Sequence, residues 1–130
     1  IMKNIKRFKN EIVNTFIGEE TTIKGTIHTQ RSIRVEGNIE GEINSQGEIF
    51  IGQKSKIEAN IVGKNVIVAG EVKGNIEAIN GLRVTSSGKV YGDISGDHLI
   101  IEEGGVYKGK VNMDIISAKN NYEGDLKVSR

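Results

Sequence analysis

The stretch "VKGNI" at Val72–Ile76 is one copy of a repeat that decides the fold of this chain of 130 residues. Similar stretches recur along the chain, each beginning and ending with an apolar or aromatic residue. The seven copies are "IKGTI" at residue 23, "IEGEI" at 39, "IEANI" at 57, "VKGNI" at 72, "VYGDI" at 90, "YKGKV" at 107 and "YEGDL" at 122. Self-similarity at a short period is the signature of a repeat architecture.

Between consecutive copies lies a shorter unit, in which two apolar residues flank one residue of any kind. It reads "IRV" at 33, "IFI" at 49, "VIV" at 66, "LRV" at 82, "LII" at 99 and "ISA" at 116. The two units together define four columns of apolar positions, which start at Ile23, Ile27, Ile33 and Val35. Copies follow one another at intervals of 15 to 18 residues.

The alternation within each unit predicts short β-strands, because side chains of a strand point to opposite faces with period two. An interval of 15 to 18 residues with two or three such strands is the size of one turn of a β-helix. Single turns cannot bury their apolar residues, whereas stacked turns share one core. We therefore predict an all-β chain: a single-stranded β-helix of about six to seven turns over residues 21–128, after a short N-terminal segment over residues 1–20.

The middle residue of the five-residue unit is glycine in six of the seven copies and Ala59 in the other. Two explanations fit this preference. A side chain at this position would crowd the narrow interior, or the backbone adopts a positive φ that only glycine tolerates well.

Outward-facing positions support the stacking of the turns. In the column that follows the first apolar column, Lys24 would neighbour Glu40 and Glu58 would neighbour Lys73. Neighbours in such a column lie about 4.8 Å apart, and opposite charges there contribute about 0.2–1 kcal/mol per pair. In a second outward column, Asp93, Lys110 and Asp125 alternate in sign in the same way.

Composition excludes several classes of function. The chain has no cysteine, which excludes disulfides and thiolate chemistry. A net charge of +1 gives no general argument for a nucleic-acid partner. No apolar run approaches the roughly 20 residues of a membrane span, and the N-terminus lacks the unbroken apolar core of a cleaved signal. We expect a cytoplasmic protein.

Candidates for catalysis or ligand binding are few. His28 and His98 would lie four turns apart, about 19 Å, on different faces, so they cannot share a metal. "GKN" at residues 63–65 lacks the glycine and hydroxyl residue of a phosphate loop. A left-handed β-helix acyltransferase is disfavoured because the spacing breaks the strict six-residue repeat of that class. We predict a protein that is not an enzyme and has no metal, cofactor, nucleotide or nucleic-acid ligand.

The segment of residues 2–17 is basic and amphipathic. Its four basic residues and one acidic residue give a local charge of +3, and its apolar residues share one broad side of a helical wheel. Such a segment suits the headgroup layer of an anionic membrane. Alternatively, or in addition, it forms a helix or strand that packs over the first turn and shields Ile23 and Ile27. A third alternative is that the segment is disordered. The predicted membrane-binding residues are Met2, Lys3, Ile5, Lys6, Arg7, Phe8, Lys9, Ile12 and Phe16.

The ends of the stack are predicted to be contact surfaces. An end turn of a solenoid exposes unpaired backbone and half of an apolar layer, and the last copy, "YEGDL", is followed by no evident cap. We therefore expect end-to-end polymerisation. The predicted polymerisation interface consists of Ile23, Ile27, Tyr107, Val111, Ile116, Tyr122 and Leu126.

The repeated V-x-G-x-I and I-x-V units, closing in "LIIEEGGVYKGKVNM" at residues 99–113, resemble the bactofilins over about residues 20–113. The resemblance implies a right-handed triangular β-helix of bacterial cytoskeletal proteins. These polymerise without nucleotide, scaffold cell-shape or cell-wall enzymes and often meet the membrane through a short N-terminal segment. It also implies that Tyr107 takes the place of a terminal aromatic residue linked to polymer contacts. Members commonly end the β-helix near the equivalent of Met113, whereas this chain adds "ISA" and "YEGDL".

We therefore expect a nucleotide-independent, polymer-forming cytoskeletal scaffold at the inner face of the cell membrane. Its partners would be further copies of itself, anionic membrane lipid, and cell-wall or division proteins. The alternative is a β-helical adaptor that recruits division or cell-wall-remodelling proteins through its flat faces and does not polymerise.

Overall fold

The computed structural model describes the backbone at residues 7–8, 11–12 and 14–118, and the side chains of residues 14–113. These residues form strands and no helix. The strands are β1 (Arg7–Phe8), β2 (Glu11–Ile12), β3 (Thr15–Ile17), β4 (Thr22–Thr29), β5 (Ile33–Val35), β6 (Asn38–Ser45), β7 (Glu48–Ile51), β8 (Lys56–Val68), β9 (Glu71–Lys73), β10 (Ile76–Val84), β11 (Lys89–Tyr91), β12 (Ile94–Ile101), β13 (Val106–Lys108) and β14 (Val111–Ala118).

From β3 onward the strands build a parallel β-solenoid of about six turns. Each pairing joins a strand to the equivalent strand one turn away, and each turn contributes three short segments. In the fourth turn these segments begin near Val72, Ile76 and Leu82, which pair one turn back with Ile57, Ile61 and Val66. The prediction of an all-β β-helix is confirmed.

The four predicted apolar columns form the core. Their side chains point inward on every described rung from β5 onward, and most are 0–2% exposed. Ile49 of β7, for example, pairs with Ile33 on one side and Val66 on the other. The core is therefore a stack of similar layers, each completed by the layers above and below it.

The stack begins earlier in the chain than the repeat indicates. Strand β3 lies inside the predicted N-terminal segment, but it pairs with β5 in the register of the third and fourth columns, and Ile17 is buried opposite Val35. Residues 7–8 and 11–12 form the antiparallel pair β1–β2. The helical arrangement of residues 2–17 is therefore wrong for the described positions. The domain boundaries at residues 20/21 and 128 stay predictions.

The glycine in the five-residue unit is required by backbone geometry. Gly92 has a φ of 144°, and a Cβ built on it would collide with the carbonyl oxygen of Gly74 one turn back. Both causes proposed from the sequence therefore act together, although the crowding comes from the backbone of the preceding turn. Gly25, in the first turn of this column, has a φ of 143° but nothing within 4 Å of the added Cβ.

A second column of small residues was missed in the sequence. It lies two positions before the first apolar column and reads Thr21, Gly37, Ser55, Gly70, Gly88 and Gly105. From Gly37 onward these residues are buried at a corner. A Cβ on Gly88 would collide with the carbonyl oxygen of Val68, and the hydroxyl of Ser55 donates to the carbonyl of Val35 at 2.8 Å. The recurrence of small residues two positions before the first apolar column is the sequence signal that could have revealed this column.

Among the described residues, the outward columns have the predicted register but not the predicted ion pairs. Glu58 is opposite Lys73, yet the Lys73 ammonium lies 3.6 Å from Glu71 of its own strand. In the second column, carboxamide and carboxylate groups bind backbone instead. The Oδ1 atom of Asn75 accepts the backbone N–H of Asp93 at 3.1 Å, and Oδ1 of Asp93 accepts that of Lys110 at 3.3 Å. This ladder joins the turns along a corner.

Candidate assembly surfaces

The N-terminal end of the solenoid presents a strand edge. Within the part of the chain that the structure describes, β3 pairs only with β5 and β4 pairs only with β6. Ile23 and Ile27 of β4 pack against the core but are only half-buried, whereas the residues that follow them in their columns, Ile39 and Ile43, are buried. This end therefore combines strand backbone that has no further partner among the described residues with an incompletely covered apolar layer, as predicted for an end turn.

The opposite edge of the described stack consists of β13 and β14. In the described residues β13 pairs only with β11 and β14 only with β12. Their core side chains are not open, because Tyr107, Val111 and Met113 are 0–1% exposed. The two edges of the described stack are thus chemically different.

Tyr107 is tied into the interior by its hydroxyl, which donates to the carbonyl of Lys110 at 2.6 Å and lies 2.9 Å from that of Gly92. Burial raises the pKa of Tyr107 well above its ordinary value, and the negative charge of Asp93 adds to this rise. The residue therefore keeps its proton, and with it its donor role, at physiological pH.

The predicted interface residues consequently differ in their positions. Ile23 and Ile27 are at an accessible end, whereas Tyr107 and Val111 belong to the core of the single chain. The backbone of Ile116 is part of β14 and pairs with Leu99. Tyr122 and Leu126 lie outside the described residues. A charged substitution at Tyr107 would test folding rather than assembly, so the N-terminal end is the better place to probe the interface.

Most of the predicted membrane-binding residues lie outside the described residues or have only their backbone described. Met2, Lys3, Ile5, Lys6 and Lys9 lie outside the described residues. Arg7 and Phe8 form β1, and Ile12 is in β2. Phe16, in β3, has its side chain described and is 60% exposed. Their role at a membrane stays a prediction.

The described residues contain no cluster of three or more histidine, cysteine or acidic residues that could hold a metal ion. His28 is exposed at the end of β4, and His98 is half-buried in β12, where it pairs with Ile115. An open groove of about 690 Å³ follows the ladder of Asn60, Asn75 and Asp93, whose Oδ1 atoms accept backbone N–H groups.

The search for a membrane-crossing helix covers the same described residues, and it finds none long and apolar enough to cross a bilayer.

Comparison with known proteins gives a consistent result. The bactofilin family, described as polymer-forming cytoskeletal, matches residues 15–112. Among curated proteins, the bactofilins BacO and BacP of Myxococcus xanthus (strain DK1622) are each 32% identical over 104 residues, or 80% of this chain. The aligned region spans 82% of BacO and 43% of BacP, less than half of the latter's length.

A solved structure shares the fold. It is a cryo-electron-microscopy reconstruction of double helical filaments of Thermus thermophilus bactofilin. The TM-score is 0.64 at 19% sequence identity, and the match covers 81% of this chain and 97% of the other. The family match begins at Thr15, where β3 starts the stack. On its sequence match and its parallel β-solenoid, the chain belongs to the bactofilin family of polymer-forming cytoskeletal proteins.

Proposed function

We propose that this bactofilin assembles end to end into a nucleotide-independent filament that serves as a cytoskeletal scaffold at the inner face of the cell membrane. The observation that carries the proposal is the N-terminal edge. Strand β4 is eight residues long, has a partner on one side among the described residues, and leaves Ile23 and Ile27 half-buried. A further strand from another copy would complete both the backbone ladder and the apolar layer.

The parallel topology supports growth along the axis of the stack. Each copy would contact others through the ends of its stack, and contacts at both ends give an open filament when they do not close a ring. Each added copy would continue the strand spacing of about 4.8 Å and bury the apolar edge of the previous one. No step of this assembly consumes chemical energy, so no nucleotide is needed.

The purified full chain is expected to form filaments as its concentration rises, with no ATP or GTP present. Negative-stain electron microscopy and sedimentation across a concentration series measure this directly. Apyrase treatment provides the control for carried-over nucleotide and should change nothing. Finding only monomers at every concentration would contradict polymerisation and favour the adaptor alternative.

The membrane part of the proposal rests on the charge of residues 2–17, where four basic residues and one acidic residue give +3. Basic residues near an anionic surface contribute about 1 kcal/mol each. Deleting residues 2–17 would also remove β3 from the stack, so removal of residues 2–13 is the cleaner change. Replacing Lys3, Lys6 and Lys9 with glutamate tests the charge alone.

Both variants are expected to lose binding to vesicles that contain phosphatidylserine, by on the order of 100-fold for the triple substitution, because several favourable charge contacts are reversed. Co-pelleting with vesicles of phosphatidylserine and phosphatidylcholine measures it. Vesicles of phosphatidylcholine alone are the control. Equal pelleting of the wild-type chain and both variants would contradict membrane binding through residues 2–17. The proposal of filament formation would be unaffected.

A further inference from the structure

The fourth turn of the solenoid contains a bulge on its side. Between the second and third apolar columns the chain advances six positions in this turn, from Ile76 to Leu82, but five positions in the turns before and after it. The register of β10 accordingly shifts after Ala78 against both neighbouring strands, β8 and β12. Ile79 and Asn80 pair with no residue of either strand, which is the arrangement of a β-bulge. Both side chains are exposed, that of Ile79 to 53%.

The bulge contains the only Asn–Gly pair of the chain, Asn80–Gly81. Asparagine is a thermolabile residue, because the backbone nitrogen of the following residue can attack the carbonyl carbon of its side chain. A following glycine leaves this approach open, since it has no side chain and the greatest backbone freedom. The attack also requires a backbone that can leave its regular geometry, which a strand paired on both sides resists. Asn80 lies at the point where this pairing is interrupted.

Other asparagines of the described stack are held more firmly. The carboxamide oxygens of Asn38, Asn60 and Asn75 each accept a backbone N–H of the following turn at 3.0–3.2 Å, and an isoleucine follows each of them. Asn44, which a small serine follows, is paired on both sides within β6. For the Asn80 side chain, no hydrogen bond is present within the described residues. Asn80 therefore combines a labile neighbour with a side chain and a backbone that are little restrained.

Packing explains why glycine is retained beside Asn80. A Cβ built on Gly81 would lie 3.2 Å from the Cβ atom of His98 in the following turn, and 3.3 Å from the carbonyl oxygen of that residue. Both separations are shorter than a favourable van der Waals contact of about 3.5–4.0 Å, so a larger residue would push against β12. The fold therefore keeps the labile pair on its surface.

We propose that Asn80–Gly81 is a modification site, at which the chain deamidates spontaneously and thereby records its own age. The backbone nitrogen of Gly81 forms a bond to Cγ of Asn80, and its proton leaves with the carboxamide nitrogen as ammonia. The product is a cyclic imide. Water then opens the ring at either carbonyl carbon, which gives aspartate with the original backbone or isoaspartate with the backbone routed through the side chain. Because ammonia is lost, the change is one-way.

Deamidation would change the surface charge of the stack and leave its core in place. Both products carry a carboxylate where the carboxamide was neutral, so the formal net charge of the chain falls by one unit from +1. The new carboxylate would lie in an open hollow of about 270 Å³, which Asn80 lines together with Arg83 and His98. Isoaspartate also lengthens the main chain by one carbon atom. A bulge that pairs with neither neighbour can absorb this change, whereas the paired strand around Asn44 could not.

Incubation of the freshly purified full chain at physiological pH and temperature tests this proposal. Peptide mapping by mass spectrometry follows the conversion of each asparagine, and a synthetic peptide of residues 76–84 gives the rate in the absence of the fold. We expect Asn80 in the folded chain to deamidate within about tenfold of the peptide rate, because opening a bulge costs little free energy. A slower rate would show that the stack protects the site, and it would overturn the proposal.

Asn44 is the control within the same molecule. Its rate in the folded chain should lie at least about 100-fold below that of its own peptide, residues 40–48, because β6 must first separate from both neighbours. Equal protection of Asn44 and Asn80 would contradict the role of the bulge. The reaction takes place within one chain, so these outcomes do not depend on polymerisation.

An isoaspartyl methyltransferase with labelled S-adenosylmethionine detects the product independently. The aged wild-type chain is expected to accept methyl groups, and Asn80→Gln should lower this labelling by at least about tenfold, since glutamine closes the corresponding ring far more slowly. Labelling that Asn80→Gln leaves unchanged would place deamidation elsewhere and refute the assignment. The aged, more acidic chain is then separated by ion exchange, and its melting temperature should lie within about 4 °C of that of the fresh chain. A larger loss would contradict the accommodation of the product by the bulge.

Discussion

Replacing Gly92 with alanine is expected to destabilise the solenoid by about 4 kcal/mol or more, whereas Gly25→Ala should cost only about 1–3 kcal/mol. Both glycines have nearly the same positive φ, 144° and 143°, so both variants bear the same kind of backbone strain. Only at Gly92 does the new Cβ also collide with a backbone carbonyl, that of Gly74. Backbone in a paired rung cannot move aside without separating the turns.

Urea denaturation followed by circular dichroism gives the free energy of unfolding of both variants. Gly25→Ala is the matched control for strain, because its Cβ meets nothing within 4 Å. Comparable losses in the two variants would mean that φ alone explains the glycine column. Our assignment of the crowding to the neighbouring turn would then be wrong.

The double variant Ile23→Arg, Ile27→Arg should abolish end-to-end assembly while the chain still folds. These side chains are half-buried at the end of the stack in the single chain, so the arginine side chains have access to water there. In a dry contact between copies they would be buried without partners, which costs about 3–5 kcal/mol. That penalty corresponds to an increase of at least about 100-fold in the concentration needed for filaments.

Sedimentation across a concentration series measures this threshold. Glu58→Arg is the control, since it adds the same side chain at an exposed position in the middle of the stack, away from either end. A double variant that polymerises at the wild-type concentration would show that the N-terminal edge is not the contact. The vesicle experiment would still test membrane binding in that case.

Much of the fold could be predicted from the residues because the repeat is local and periodic. The pairing of Ile57 with Val72 and of Val66 with Leu82 follows from aligning the units, since a one-residue slip would turn an apolar column outward. The same periodicity did not reveal β3, because "TFI" precedes the first complete copy and carries no glycine unit. Its place was decided by Ile17 completing the fourth column opposite Val35.

The candidate surfaces were less predictable. The sequence indicated that both ends carry apolar residues, and the half-buried Ile23 and Ile27 agree with that. It could not distinguish Tyr107, which shares a column with Ile23 but is fully buried and donates its hydroxyl to backbone. The charges of Asp93 and Lys110 suggested an ion pair, yet Asp93 accepts a backbone N–H. The short side chain of Asp93 holds its carboxylate close to the backbone of the next rung. The carboxylate therefore accepts the backbone N–H of Lys110 instead of pairing with the mobile ammonium group of that residue.

By itself, then, the amino-acid sequence determined the all-β solenoid, the four core columns and their register, because every turn repeats the same apolar spacing and only stacking can bury it. The tertiary structure alone decided where the stack begins, which glycines are crowded by a neighbouring backbone, and which end keeps its apolar layer open. These properties depend on contacts between residues a full turn apart, and no single repeat contains them.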